Sequence, residues 1–422
     1  MRQAETPGRP LDEMVDRRMN ILFVSRCMPT PTTSGDRVLL HYLTRELAAR
    51  GHCLDLLAFY LDGEAVDREG AGTGFSHVEA LPERTRSPLD YLIRLRHLFP
   101  DSAQQCWNGP MWEAIHHRLA PGRYDFVHFF GGVQVYEFRN LVAARLPSLI
   151  VPYDCYSLFL ERAGAVASGI VERLRLRARL AMARRYEAFA FKGFGRVVLV
   201  TEVDAAYLRR LAPDLPTAVI PNGVDAGFFR PVDDIERPPS LVFVGNMAYA
   251  PNVAAAIALV TQILPRVEAE VPGARATIIG PQPPPELSSL NGANVEITGW
   301  VPDIRPHLAG AACFVSALTA GTGIRNKILE AMAAGLPVAA TPTSCEGVQV
   351  KDGEDILLGR DPRELAAAAV RLLRDTSLRR RIAEGGQRLV RRNHAWSQVA
   401  DRYEALYDAV ASEWRLAHGA AG

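Results

Sequence analysis

The sequence predicts an α/β protein built from two Rossmann-like, doubly wound domains that face each other across a cleft. The chain has 422 residues, a length that suits two domains of ordinary size. Short apolar runs alternate with helical stretches, as expected of βαβ units in a parallel sheet. This alternation restarts after residues 233–240 (DDIERPPS), a charged and proline-rich segment typical of an inter-domain linker.

The first half opens on a βαβ unit. Residues 20–25 (NILFVS) are an apolar run typical of a buried parallel strand. Apolar side chains then recur at helical spacing between Val38 and Leu47, and Gly51 suits the end of that helix. Residues 54–59 (LDLLAF) supply the next strand. Further strands are predicted at residues 126–130, 148–153, 196–201 and 218–221.

The second half repeats this order and sets the domain boundaries. Its predicted strands are residues 241–245, 276–280, 295–298, 313–317 and 337–341. We divide the chain into a mobile tail (1–18), a first domain (19–230), a linker (231–239), a second domain (240–395) and a C-terminal helix that crosses back to the first domain (396–422). Ligands of such sheets bind beyond the carboxyl ends of the strands, so the loops there are the candidate site.

Composition excludes several classes of protein. The six cysteines are scattered without a CxxC pair, which predicts reduced thiols rather than a disulfide framework. A net charge of +1 predicts no nucleic-acid partner. No apolar run approaches the length of about 18 residues that a membrane span needs. Residues 1–18 lack the apolar core of a signal peptide, so we expect a cytoplasmic protein.

A glycine-bearing loop followed by an apolar helix carries the strongest functional signal. Residues 317–341 read ALTAGTGIRNKILEAMAAGLPVAAT, and the loop consists of Gly321, Thr322 and Gly323. Glycines let backbone N–H groups approach an anion closely. A helix predicted to begin near Ile324 directs the positive end of its dipole to the same place. The segment therefore predicts a phosphate site, and an ordinary loop–helix junction is the alternative.

Three charged side chains follow this loop. Arg325 and Lys327 add positive charge in the first turn, and Lys327 is preferred as the phosphate ligand because it shares a helix face with Glu330. Glu330 lies in an apolar stretch, where a carboxylate is costly to bury without partners. An ionised carboxylate accepts two ribose hydroxyls at once, so we predict that Glu330 binds a ribose. A surface glutamate is the alternative.

The chain resembles retaining glycosyltransferase family 4, whose members join a glycine-bearing loop to a helix reading LEAMAxGxPVxxT. The resemblance is carried by residues 317–341 and by residues 218–225 (AVIPNGVD). The resemblance runs from about residue 19 to the C-terminus and is closest to sugar transferases of bacterial exopolysaccharide assembly. It implies a GT-B fold and a nucleotide-diphosphate sugar donor, with UDP-sugars favoured over GDP-sugars. The acceptor would be a glycan, a lipid-linked glycan or a small molecule, and the reaction would proceed with retention. No cofactor is implied, and the sequence contains no D-x-D motif for a divalent metal.

The family pattern assigns further donor-binding residues and shows two departures. Val301 lies in GWVPD, which resembles the family's G-x-V-x-D turn whose backbone reads the nucleobase. Thr322 occupies the position of the first glutamate of the family's E-x7-E pattern. Asn246 follows the first strand of the second domain, where an arginine is usual. These departures leave the identity of the donor open.

Polar residues near strand ends of the first domain complete the candidate set. His128 is placed as the family histidine that contacts the transferred sugar, and a core histidine is the alternative. Ser34 and Gly35 match the loop after the first strand, where backbone N–H groups approach the acceptor or the donor phosphate. Asp154 is an acceptor-side candidate, and a helix N-cap is its alternative.

A basic run in the first domain predicts either contact with the inner face of the membrane or a solvated helix face. The arginines concerned are Arg173, Arg175, Arg177, Arg179, Arg184 and Arg185, with Arg86, Arg94 and Arg96 as an extension.

Two other functions fit the same fold. A nucleotide-sugar 2-epimerase would bind similar donors and need no acceptor. A non-catalytic subunit would bind the donor without turnover, and the missing glutamate and arginine make it conceivable.

Overall fold

The computed structural model describes residues 18–32, 34–61, 74–84, 99–167, 169–231 and 237–418. It contains two parallel sheets flanked by helices, which confirms the predicted α/β fold class. Three predicted features lie outside the described residues: the tail up to residue 17, residues 232–236 of the linker, and the side chains of Arg86, Arg94 and Arg96.

The first sheet has seven strands in the order β3-β2-β1-β4-β5-β6-β7. The strands are β1 (Asn20–Ser25), β2 (Cys53–Tyr60), β3 (His77–Pro82), β4 (Phe126–Phe130), β5 (Ser148–Tyr153), β6 (Arg196–Leu199) and β7 (Thr217–Val219). Strand β1 pairs with both β2 and β4, so the strand order reverses beside it. Ligand sites in such sheets form at the carboxyl ends of the two strands that flank this reversal.

Within the described residues, the helices of the first domain are α1 (Gly35–Ala49), α2 (Gly109–Arg118), α3 (Arg139–Ala143), α4 (Tyr156–Val166), α5 (Ile170–Ala190) and α6 (Glu202–Leu211). Local capping explains where some of them begin. Asn108 accepts the Met111 N–H at the start of α2, and Thr201 accepts the Asp204 N–H at the start of α6. Gly51 adopts a φ of 92° just after α1, a conformation that favours glycine.

The second sheet has six strands in the order β10-β9-β8-β11-β12-β13. The strands are β8 (Ser240–Val244), β9 (Arg275–Ile279), β10 (Val295–Gly299), β11 (Cys313–Ser316), β12 (Val338–Ala340) and β13 (Leu357–Leu358). Strand β8 pairs with β9 and β11, so the order reverses there as it does beside β1.

The helices of the second domain are α7 (Ala250–Ala258), a π-helical turn (Leu259–Ile263), α8 (Leu264–Glu270), α9 (Pro285–Ser288), α10 (Arg305–Gly310), α11 (Asn326–Ala333), α12 (Pro362–Arg374) and α13 (Thr376–Asn393). The stretch Ala250–Glu270 is long and apolar enough to cross a membrane by length and composition. The expectation that no run reaches this length is therefore wrong. Half of this stretch is buried, and Leu259, Ile263 and Val267 belong to the core of the domain.

The last helix, α14 (Trp396–His418), packs on the first domain. Its Tyr403 and Tyr407 are fully buried, and Tyr407 packs against Phe126 of β4. Glu413 forms an ion pair with Arg196 at 2.6 Å. The chain crosses between the domains a second time just before this helix. Apolar residues of both domains consequently form one continuous core.

Candidate active site

A cavity of about 380 Å³ lies between the domains at the carboxyl ends of the sheets. Val38 and Tyr42 of α1 line it from the first domain. Val301, which follows β10, and Asn326 and Glu330 of α11 line it from the second. The cavity therefore brings together two residues that the sequence assigned to the donor, Val301 and Glu330.

Helix α11 directs Glu330 into this cavity because of its apolar pattern. Ile328, Leu329 and Met332 are buried in the core. Asn326 and Glu330 are four residues apart, so they share the opposite helix face, which is the face that lines the cavity.

The protonation state of Glu330 is set by its partly buried position. Burial raises the pKa of Glu330 to about 7, and the neighbouring Lys327 opposes this rise. A carboxylate in such surroundings gains most from hydroxyl groups that donate hydrogen bonds to it. The predicted binding of a ribose by Glu330 therefore has a geometric basis.

Aromatic rings close one side of the cavity. The rings of Tyr42 and Trp396 stack with centroids 5.1 Å apart. Trp396 packs on Gly223, where an added Cβ would lie 2.6 Å from the indole. Gly223 belongs to the AVIPNGVD segment, but nothing in the sequence indicated that Trp396 and Tyr42 would meet there.

The glycine loop has the backbone geometry that the sequence predicted. Gly321 has a φ of 120° and Gly323 a φ of 72°, both in the region that favours glycine. Helix α11 begins at Asn326, with Arg325 as its N-cap residue. The predicted start near Ile324 is thus two residues early. The side chain of Ile324 is buried in the core, so it could reach a donor only through its backbone.

Arg325 is the buried cation of this loop. Its side chain is 8% exposed, and Nη1 donates to the Thr322 carbonyl at 2.5 Å. Within the described residues, its Nε and Nη2 have no hydrogen-bond partner. Buried guanidinium donors without a partner are costly, and phosphate oxygens match their planar geometry.

Lys327 points to a different neighbourhood from Arg325. Its Nζ donates to Asn252 Oδ1 at 2.6 Å and lies 4.9 Å from the centre of the Phe243 ring. Burial, with Arg325 nearby, lowers the pKa of Lys327 to about 7. Because Lys327 already has a partner and Arg325 has unused donors, the geometry favours Arg325 as the direct phosphate ligand.

Side chains of the first domain hold the glycine loop. Arg162 of α4 donates to the Gly321 carbonyl and pairs with Glu346 at 2.6 Å. Asp154 Oδ2 accepts the Thr322 hydroxyl at 3.2 Å. The N-cap residue of α4 is Cys155, so the alternative of Asp154 as a helix cap is wrong. These contacts join residues that are far apart in the sequence, so no local pattern indicated them.

Gly35 and Ser34 lie at the start of α1, on the first-domain side of the cleft. A Cβ on Gly35 would lie 2.2 Å from the Tyr153 hydroxyl, so a larger residue there would force the Tyr153 side chain to move. That hydroxyl accepts the Asn222 side-chain amide at 2.9 Å, and the same amide reaches Asn326 Oδ1 at 3.0 Å. Ser34 donates to the Asp36 carboxylate. The predicted contacts of Ser34 and Gly35 with a ligand stay predictions.

Asn246 lies beyond the carboxyl end of β8, as predicted. Its hydrogen bonds are made within the segment that joins β8 to α7. Its Oδ1 accepts the Ala248 N–H at 2.9 Å, and its carbonyl accepts the Asn252 side chain at 2.8 Å. Asn246 is exposed and leaves room for a ligand. Its donor-binding role stays a prediction.

His128 lies in the core, which corrects its sequence-based placement at a strand end. It is the middle residue of β4, is fully buried and stacks on Phe23 at 4.5 Å. Its Nδ1 bonds the Tyr407 hydroxyl at 2.7 Å. Burial lowers the pKa of His128 to about 3, so the ring is neutral at physiological pH. The geometry favours the core-histidine alternative over the catalytic one.

We expect His128→Leu to lower the free energy of unfolding by about 1–3 kcal/mol, because a buried hydrogen bond is lost and Tyr407 keeps an unpaired hydroxyl. Turnover of the folded variant should stay near that of the wild type. Tyr407→Phe removes the same bond from its other end and is the matched control. A drop in turnover of 100-fold or more, with little change in melting temperature, would restore His128 to the catalytic set.

Within the described part of the chain, no group of three or more His, Cys, Asp or Glu side chains is arranged to hold a metal ion.

Comparison with curated proteins shows matches to sugar-transferring enzymes. The phosphatidyl-myo-inositol mannosyltransferase of Mycobacterium tuberculosis is 30% identical over 207 residues, which are 46% of this chain and 54% of that protein. The lipopolysaccharide core biosynthesis glycosyltransferase LpsE of Rhizobium meliloti is 34% identical over 116 residues, 26% of this chain and 33% of LpsE. The chain therefore spans about half the length, or less, of these curated relatives.

Solved structures share the fold over nearly the whole chain. Sucrose-phosphate synthase from Thermosynechococcus elongatus has a TM-score of 0.68 at 21% identity, covering 94% of this chain and 100% of that one. Anabaena HepE in complex with UDP and glucose has a TM-score of 0.63 at 16% identity, covering 93% and 100%.

Two family models match consecutive parts of the chain. The model described as Glycosyltransferase Family 4 matches residues 34–228, and the one described as Glycosyl transferases group 1 matches residues 238–375. The two matches correspond to the two sheets described above. This chain therefore belongs to glycosyltransferase family 4 and has the GT-B fold.

Proposed function

We propose that this chain transfers a sugar from a nucleotide-diphosphate sugar to an acceptor hydroxyl. The observation that carries the proposal is the cavity between the domains, which is lined by Val301, Asn326 and Glu330. Asn326 directly follows Arg325, the last residue before helix α11. A nucleoside diphosphate presents a base, a ribose diol and phosphate oxygens. Val301, Glu330 and Arg325 offer, in that order, a turn for the base, a carboxylate for the diol and guanidinium donors for the phosphates.

The same arrangement supports the chemical step. As the bond between sugar and phosphate breaks, negative charge grows on the diphosphate. Preorganised donors that point at this charge stabilise the transition state more than the bound substrate. Arg325 and the backbone N–H groups of the glycine loop are such donors. The first domain contributes the opposite wall of the cleft, which limits the access of water to the reacting atoms.

Support for the finer assignments comes from relatives. HepE has been solved with UDP, with UDP-glucose, and with UDP and glucose, which favours a UDP-sugar donor here. The mannosyltransferase and LpsE are named for lipid-linked substrates or products, so we propose a lipid-linked glycan acceptor, as in the assembly of surface polysaccharides. We also propose retention through attack on the face that the diphosphate leaves, with no protein nucleophile.

Product analysis with candidate UDP- and GDP-sugars tests the function. A thermal-shift screen first selects the donor, since a ligand at about 100 times its Kd adds about 2.7 kcal/mol of stability. We then expect glycosylated product when an acceptor extract is present and none with donor alone. Epimerised donor in the absence of acceptor would identify a 2-epimerase. Donor binding without turnover across an acceptor library would identify a non-catalytic subunit.

The same assay tests metal independence. We expect turnover to persist in EDTA, because Arg325 and the loop N–H groups would meet the diphosphate charge. Turnover that EDTA abolishes and magnesium or manganese restores would contradict this expectation.

Helix α5 gives a basis for proposing membrane contact. Ile170, Val171 and Leu174 near its start are 78%, 76% and 59% exposed. The neighbouring Arg175 and Arg177 are exposed as well. Not all of the basic run is available for contact, since Arg173 bonds the Ala167 carbonyl, Arg179 the Tyr156 hydroxyl and Arg184 the Tyr207 hydroxyl. An apolar edge beside basic groups suits the surface of an anionic membrane.

We expect the protein to sediment with vesicles that contain anionic lipid at low salt and to be released at high salt, where charges are screened. Arg175→Glu/Arg177→Glu should abolish this sedimentation. Arg363→Glu/Arg381→Glu makes the same charge change on the second domain and should have little effect. Equal binding to neutral and anionic vesicles, or none to either, would favour the solvated-helix alternative.

A further inference from the structure

We propose that Asp154 of the first domain supplies the carboxylate that binds hydroxyl groups of the transferred sugar, across the cleft from Thr322. This inference rests on the proposed function and deepens it. It moves Asp154 from the acceptor side to the donor sugar.

The position of Asp154 follows from a strained turn at the end of β5. Tyr153 adopts a φ of 78°, a conformation that non-glycine residues seldom take. Its hydroxyl is fixed by Asn222 at 2.9 Å. The next residue is Asp154. Its carboxylate points toward the second domain and accepts a hydrogen bond from the Thr322 hydroxyl at 3.2 Å.

One polar group near Asp154, the guanidinium of Arg325, is not fully satisfied by bonds among the described residues. Thr322 is buried, and Arg325 beside it has two buried donors without a partner in the described chain. A Cβ on Gly321 would lie 2.3 Å from Nη2 of Arg325 and 2.6 Å from the Tyr249 hydroxyl. These groups form a polar cluster around the loop, and a buried polar cluster is stable only when its members are bonded.

The electrostatic environment of Asp154 calls for hydrogen-bond donors. Burial, together with the nearby carboxylates of Asp204 and Glu187, raises the pKa of Asp154 to about 6. Arg26 and the Thr322 hydroxyl oppose this rise. Sugar hydroxyls donate hydrogen bonds without adding charge, so they suit this carboxylate.

The neighbouring acid, Asp204, is already occupied. Its carboxylate accepts the Cys155 N–H at 3.0 Å and bonds the Thr201 hydroxyl. It also accepts the Gly323 N–H. Asp204 therefore holds the backbone around the cleft, and Asp154 is the acid that can bind a ligand.

The order of groups along the loop and helix α11 agrees with the shape of a donor molecule. Glu330 lines the cavity assigned to the ribose, and Arg325 lies between it and Thr322 in the sequence. A nucleotide-diphosphate sugar presents its ribose, phosphates and sugar in a line. With the ribose at Glu330 and the phosphates at Arg325, the sugar lies toward Thr322 and Asp154.

The contact between Asp154 and Thr322 also accounts for the threonine at position 322, where the family pattern has a glutamate. A glutamate at position 322 would place a second carboxylate in contact with Asp154, and two carboxylates at such a distance cannot both ionise at low cost. Threonine avoids this repulsion and donates a hydrogen bond to Asp154 instead.

Calorimetric titration with UDP, GDP and a panel of their sugars tests the inference. We expect the wild type to bind at least one nucleotide sugar more tightly than the free nucleotide. In Asp154→Asn the affinity for that nucleotide sugar should fall by about 10- to 100-fold, the usual effect of losing hydrogen bonds to a charged group. The affinity for free nucleotide should stay unchanged. Asp154→Asn/Thr322→Glu returns a carboxylate to the second domain and should recover part of the increment. Asp214→Asn, an exposed change in the same domain, is the control for substitution alone.

Three outcomes would overturn the inference. One is an equal loss of affinity for nucleotide and nucleotide sugar in Asp154→Asn, and another is no loss of affinity at all in that variant. The third is a wild type that binds every nucleotide sugar no more tightly than the free nucleotide. An unchanged donor affinity with a raised KM for acceptor would assign Asp154 to the acceptor hydroxyl instead. A wild type that binds no nucleotide at all would contradict the proposed function, which is a distinct result.

Discussion

Arg325→Ala is expected to reduce turnover about 100- to 1000-fold, the usual effect of removing a stabiliser of transition-state charge. The reason is geometric: Arg325 is buried at the glycine loop, and two of its donors have no partner in the described structure. The measurement is kcat at saturating donor, with the melting temperature as a check on folding. Arg325→Lys keeps the charge but loses the planar fork, so it should recover only part of the activity.

Lys327→Ala is the matched comparison, because the two bases are separated by a single residue. Lys327 donates to Asn252 and packs over Phe243, so its loss should change stability or donor affinity more than kcat. A larger fall in kcat for Lys327→Ala than for Arg325→Ala would identify Lys327 as the phosphate ligand, as the sequence analysis preferred. Near-normal kcat in both variants would place the compensating charge elsewhere, with Arg26 the next candidate.

Glu330→Gln is expected to weaken donor binding by about 10- to 100-fold, since hydrogen bonds to a charged acceptor are replaced by weaker ones. Titration with free nucleotide measures the effect, because the ribose is part of the nucleotide. Normal turnover at low donor concentration would contradict the assignment. Asn326 lines the same cavity, so Asn326→Ala tests whether any change in its wall has a similar effect.

Although Glu330→Gln should weaken donor binding, it should raise the stability of the folded protein above neutral pH. Burial raises the pKa of Glu330 to about 7, above the value of an unfolded glutamate. The folded state then binds the proton more tightly than the unfolded state, so ionisation of this group opposes folding as pH rises from about 4.5 to about 7. At pH 8 the variant should melt at or above the temperature of the wild type, and at pH 4 this advantage should vanish. A variant that melts lower at pH 8 would show that Glu330 supports the fold.

The fold class could be read from the sequence because the hydrophobic pattern is local. Apolar runs such as residues 20–25 and helical spacing such as residues 38–47 reflect burial on one sheet or one helix face, and this information lies within short windows. The glycine loop could be recognised for the same reason, since its glycines, the start of the helix and the charged residues follow one another within residues 321–330.

What the sequence could not determine depends on contacts between distant residues. His128 looked like a strand-end group, yet Tyr407, 279 residues later, covers it, because the last helix returns to the first domain. The preference for Lys327 over Arg325 reversed once Asn252 was found to bond the lysine. Asp154 and Thr322 are 168 residues apart, and only the packing of one domain against the other places them in contact. Local sequence patterns thus determined the two α/β units and the glycine loop, whereas the tertiary structure decided which polar side chains are satisfied within the protein and which are not.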